Sequence, residues 1–144
     1  MDDDLISRVI ECVTEVHREA GLGLTKELYG DLLALELTAA GLPFERGRVL
    51  RMVYDGHQLD FTMAAEFIVA DALVLQIEVV DEIELIHEQQ LRTCVWMGGF
   101  ALGLLLNFNV ADIEDGISRI TTNAGAGQSE YRDVFDDPDL GAEF

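Results

Sequence analysis

A single lysine, Lys26, stands in a chain of 144 residues that sets 28 acidic side chains against 9 basic ones, a net charge of −19. A protein that holds phosphates by releasing their counterions needs clustered lysine and arginine, and this chain has few. Its small basic group, Arg46, Arg48 and Arg51, is spaced as a solvated strand face. Charge of this sign repels DNA and RNA at low salt, so nucleic acid is disfavoured as a partner. The same excess of acids over lysine suits a very salty cytoplasm, where charge is screened; the sequence leaves both readings open. Cysteine is scarce too. Cys12 and Cys94 lie in apolar-periodic segments, which points to buried free thiols rather than a disulfide or a metal site. His17, His57 and His87 lack zinc-ligand spacing, and no cysteine pair supports them. The longest apolar run, Phe100 to Leu106, is interrupted by Gly103 and falls far short of a bilayer span. The chain opens Met-Asp-Asp-Asp without a basic, then apolar, leader, so a cytoplasmic protein with no membrane partner is expected.

What is present is a core. Hydrophobic residues make up 49% of the chain, enough for one domain of this length to bury about 70% of its extended surface without staples. Leu5, Ile6, Val9, Ile10, Val13 and Val16 form a one-sided helical stripe that Gly21 and Gly23 end. A second helix starts at Thr25 as N-cap and runs to Gly41, with Pro43 preventing its resumption. Residues 44–54 and 57–63 read as a hairpin around Asp55-Gly56, followed by strands near 64–69 and 73–80. The last of these is almost wholly apolar, as a strand covered on both faces should be. Glu82 to Gly98 reads as a crossover helix, Ala101 to Phe108 as another strand, and Ile113 to Ile120 as a short strand or a helical turn. The sum is an α/β domain over residues 1–120, a mixed twisted sheet flanked by helices. Residues 121–144 hold few apolar anchors and read as a mobile acidic tail that docks through Tyr131 and Phe135.

The chemistry concentrates in Ala64 to Val80, AAEFIVADALVLQIEVV. Two strands flank an Ala70-Asp71-Ala72 turn, and alternation sets Gln76 and Glu78 on one face of the second strand. A metal-dependent nuclease needs a carboxylate from each strand and a lysine two residues beyond the second. Glu66 fills the first place. The second carboxylate is replaced by the amide of Gln76, and the lysine by Glu78.

Taken in order, EVHREAGLGL (Glu15 to Leu24), Tyr29, LALEL (Leu33 to Leu37), the segment 64–80, HEQQL (His87 to Leu91) and GLLLNF (Gly103 to Phe108) resemble the GxxExxY family of the PD-(D/E)XK nuclease-like superfamily. The resemblance implies a restriction-endonuclease-like core with a metal-dependent phosphodiester site where two strands diverge. It also implies a set of departures. The glutamate of the naming motif falls on Lys26, while Gly23 and Tyr29 keep its glycine and tyrosine. The family arginine falls on Ala64 and its aspartate on Glu66. Its Glu-x-Lys falls on Gln76-Ile77-Glu78. The helix glutamine is retained as Gln90, and the tyrosine four residues later becomes Cys94.

Each departure weakens hydrolysis. Phosphodiester cleavage needs Mg²⁺ or Mn²⁺ on hard oxygen ligands and a positive group near the developing charge. Glutamate at 66 extends the carboxylate by about 1.5 Å, Gln76 offers only a neutral oxygen, and Glu78 puts an anion where phosphate should sit. Because Lys26 stands where the family has an acid and Glu78 where it has a lysine, a Lys26–Glu78 ion pair is expected. A nuclease-like domain without ordinary catalysis follows, kept as a binding or structural module for a protein partner or a homodimer, with Trp96 and Met97 on a dimer face or in the core. The alternatives are a divergent nuclease, with Glu66 and Glu78 holding Mg²⁺ or Mn²⁺ beside Gln76 or Gln90 and Lys26 restoring the positive charge, and an acidic inhibitor mimicking nucleic acid.

Overall fold

The computed structural model describes residues 3–122. Two helices open the chain, α1 (Asp3–Ala20) and α2 (Lys26–Ala39). Thr25 caps α2 as its sequence position requires, its hydroxyl accepting from the Leu28 N–H at 3.2 Å. A five-stranded sheet follows in the order β1 (Phe44–Tyr54), β2 (His57–Val69), β3 (Leu73–Glu78), β4 (Leu102–Asn107), β5 (Ile117–Thr121). Only β3 and β4 run parallel; the other neighbours are antiparallel. A parallel pair needs a crossover, and α3 (Leu85–Met97) supplies it. The result is an α/β domain with a mixed sheet between helices, consistent with a restriction-endonuclease-like core.

The sheet divides two apolar cores. Leu73, Leu75 and Ile77 of β3 face α1 and α2, where Ile6, Val9, Val13, Tyr29, Leu33 and Leu37 are buried. Val74 faces the other way, onto Leu91, Cys94, Val95 and Trp96 of α3. This is why β3 reads as continuously apolar. Gly103 lets α3 settle closely on β4, since a Cβ there would meet the Val95 side chain at 2.8 Å. Trp96 and Met97 are buried in the α3-side core, so the core role holds for both and not the dimer face. Cys12 and Cys94 are buried and free, as their apolar settings imply.

Several boundaries differ from the sequence reading. Residues 57–63 and 64–69 are one strand, β2, because nothing between Met63 and Ala64 supplies a turn. The Asp55-Gly56 turn does form, with both residues at positive φ, the geometry a two-residue hairpin favours. β3 stops at Glu78 and α3 starts only at Leu85, leaving an acidic loop between them. In that loop the Glu84 N–H donates to His87 Nδ1 at 2.9 Å, which closes the helix start. Residues 113–120 are both of the expected alternatives in succession, a 3₁₀ turn (Ile113–Gly116) and then β5, which continues through Thr121. Thr122 is still tied in, its hydroxyl donating to Phe100 O at 2.9 Å. Beyond it, the reading of an acidic tail lies outside the described residues. Among the described residues, no helix is long and apolar enough to cross a membrane.

Candidate functional site

β2 and β3 pair over only three positions, Phe67–Val69 against Leu73–Leu75, and then part. Parting would orphan a backbone donor on β3. Glu66 prevents it: its Oε1 accepts from the Ile77 N–H at 2.9 Å, a charge-assisted bond of the stronger kind. Its other oxygen, Oε2, lies 2.7 Å from Lys26 Nζ at the start of α2. The carboxylate therefore sits in the gap between two diverging strands with both oxygens engaged.

The expected Lys26–Glu78 pair is corrected by this geometry. Lys26 bonds Glu66, and Glu78 points elsewhere. Gln76 and Glu78 alternate with the residues facing α2, which sets them on the α3 side, and the Gln76 amide nitrogen donates to Glu78 Oε2 at 2.9 Å and to His87 O at 3.4 Å. Both of those neighbours are acceptors, so the amide nitrogen must be the atom turned toward them. The longer side chain of glutamate at 66 brings an oxygen within reach of Lys26. Glu78 remains close enough to matter electrostatically. Partial burial pushes the Lys26 ammonium down, yet the bond and charge of Glu66, with Glu78 and Glu27 adding, outweigh it and hold its pKa above the usual lysine value.

From the far side of the sheet α3 closes the gap. Cys94 lies within the field of Glu66: burial first, then that carboxylate, pushes its thiol up to about 11. A thiol so placed stays protonated and inert at neutral pH. Gln90, one turn earlier on the same helix face, is exposed and makes no hydrogen bond to the cluster. Ala64 is exposed on β2 and offers no charge. The site thus unites Lys26, Glu66, Gln76 and Glu78, with Cys94 beneath and Gln90 apart.

Two further residues position this site, and of these the sequence singled out Tyr29 but not Asn107. Asn107, at the end of β4, is buried. Its Nδ2 donates to Val80 O at 3.0 Å, and its Oδ1 accepts from the N–H groups of Val80 and Asn109 at 3.2 and 3.1 Å. It thereby ties down the loop leaving Glu78. Asn109 then donates to Asp81 at 3.2 Å. A polar residue in the apolar run GLLLNF was the available signal. Tyr29 is fully buried, stacks on Phe108 at 4.5 Å between centroids and donates to Gly21 O at 2.6 Å; it fixes the start of α2 and hence Lys26.

The histidines disperse as their spacing implied. His17 bonds Val110 O, His57 bonds Asp55 O, and His87 caps α3. Most cations among the described residues are likewise occupied by their own chain. Arg46 pairs with Asp31 at 2.9 Å while lying over the Phe67 ring, Arg48 lies 3.4 Å from Asp71, and Arg51 donates to Leu59 O. Arg8, Arg18 and Arg92 are similarly held by a carbonyl or carboxylates. Among the described residues no group of three or more His, Cys, Asp or Glu side chains is arranged to hold a metal ion. As folded, the donor set offers Mg²⁺ or Mn²⁺ a poor fit, since Lys26 and the Ile77 N–H engage both oxygens of Glu66 and the Gln76 amide engages one oxygen of Glu78.

The family model that matches this chain is that of the PD-(D/E)XK nuclease superfamily, over residues 3–120. Searches of curated proteins and of solved structures each found no match. The chain belongs to the PD-(D/E)XK nuclease superfamily.

Proposed function

We propose that this superfamily member, a branch of the GxxExxY type with a degenerate motif, is a nuclease-like domain without ordinary hydrolytic activity that serves as a binding or structural module. The observation that carries the reading is the state of Glu66. In a working site that carboxylate would be a metal ligand; here its two oxygens hold a backbone N–H and an ammonium. The ancestral ligand has become a brace across the strand gap. Glu78 completes the argument by electrostatics. It replaces the cation that should face the scissile phosphate, and an anion there opposes the charge that builds in the transition state.

Calorimetric titration of Mg²⁺ and Mn²⁺ into the protein tests this. No uptake above that of scattered surface carboxylates is expected. Uptake abolished by both Glu66→Ala and Glu78→Ala would overturn the reading in favour of a divergent nuclease built on Glu66, Glu78 and Lys26. One observation favours that second reading: both carboxylates act on Lys26, so they share a neighbourhood. Against it, an incoming metal ion has to displace an ammonium held at 2.7 Å.

A further inference from the structure

The β1–β2 hairpin outgrows the sheet. β2 carries thirteen residues but pairs with β3 only through its last three, so its outer part leans on β1 alone. Residues 57–62 are all exposed. A two-stranded ribbon on its own is marginal in water, and this one carries a large apolar load. Phe61 is 48% exposed, Leu59 44%, Val49 66%, and Tyr54 is exposed as well.

The ribbon has an inner and an outer side. Leu50 pairs with Met63, and both belong to the α3-side core or pack against it. Alternation puts Met52 and Phe61 on that same side, so an apolar strip runs outward from the core along the ribbon. Val49 lies on the opposite side with Arg51, Thr62 and Ala64. The strip is what a partner would cover.

Charge selects the partner. Residues 44–64 hold three arginines, Arg46, Arg48 and Arg51, and three acids, Glu45, Asp55 and Asp60, so the ribbon is neutral while the rest of the chain carries the whole net charge of −19. A neutral, apolar arm lets a second acidic copy approach without like-charge repulsion at the point of contact, and its projection keeps the two bodies apart. Edge-to-edge pairing of β1 is blocked instead. Its arginines would face their own copies, and Gly47 at φ 70 and the register slip between Arg51 and Val53 distort the edge. We infer that the inner strip of the ribbon, Met52 and Phe61, packs face to face on the same strip of a second copy of this chain in a two-fold dimer.

The inference rests on reading the chain as a binding module, and the two can fail separately, since mass measurements judge one and hydrolysis assays the other. Light scattering and sedimentation of the full chain, from low to high micromolar concentration and at low and high salt, should give a dimer mass at the upper concentrations. Phe61→Glu should weaken the dimer about tenfold or more, while Val49→Glu on the opposite side leaves it intact. Both sites are exposed, and unchanged circular dichroism and melting would confirm that each variant folds. As a second readout, Phe61→Cys should be captured as a linked dimer by a short bis-maleimide, because the native thiols are buried. A monomer under every condition, or a dimer indifferent to Phe61→Glu and not captured through Phe61→Cys, would overturn the inference.

Discussion

Replacing Lys26 with alanine removes one of the two groups that hold Glu66 and leaves the other, the Ile77 N–H, in place. The cost follows from burial. Stripping the partner from a fully buried ion costs about 3–5 kcal/mol, whereas an exposed pair contributes about 0–1 kcal/mol. Lys26 and Glu66 are 41% and 31% exposed, so solvent can rehydrate the abandoned carboxylate in part, and a loss of about 1–2 kcal/mol is expected. For a domain of this length that lowers the melting temperature by about 3–6 °C. Urea denaturation should move the midpoint without changing the slope. A double-mutant cycle then identifies the partner. Lys26→Ala should couple to Glu66→Gln by about 1 kcal/mol, with the amide still able to accept from Ile77, and only weakly to Glu78→Gln. A Lys26→Ala variant that melts like the parent, or one that couples chiefly to Glu78, would refute the brace.

Stability should fall as pH rises from about 9 to 11. The folded protein keeps the Cys94 thiol protonated to about 11 against a usual 9.0 and holds Lys26 charged above its usual value, so over this range the folded state binds more protons than the unfolded chain and the slope is negative. The thiol accounts for up to about 3 kcal/mol of the decline, the Lys26 contribution is present below the ordinary lysine pKa and lost as pH climbs through the raised one, and Cys94→Ala should flatten the curve measured by urea titration. Asn107→Leu should cost about 2–4 kcal/mol by leaving the Val80 N–H and C=O without partners, and hydrogen exchange at Val80 should accelerate before global unfolding.

Much of the fold was legible because its signals are local. The stripe on α1, the Thr25 cap and the Asp55-Gly56 turn each act within a few residues, and each formed. The apolar run of β3 correctly implied burial on both faces. The union of residues 57–63 and 64–69 into β2 was hidden because the outer half is stabilised by cross-strand pairing with β1, which leaves no turn or breaker to read. The start of α3 depends on His87 meeting the Glu84 N–H, a side-chain event invisible to periodicity. At the site, alternation correctly grouped Gln76 with Glu78. The partner of Lys26 was misassigned because a reciprocal exchange of charge in sequence says nothing of reach, and Glu66 supplies the reach across the gap. Asn107 escaped notice because one amide in an apolar strand declares its role only when Val80 is seen beside it.

Whether the parent protein breaks phosphodiester bonds is the most direct test of the brace at Glu66. Incubated with single-stranded, duplex and branched DNA in the presence of Mg²⁺ or Mn²⁺, it should leave every substrate intact, matching the Glu66→Ala variant. Metal-dependent cleavage by the parent that disappears when Glu66 alone is truncated would contradict it.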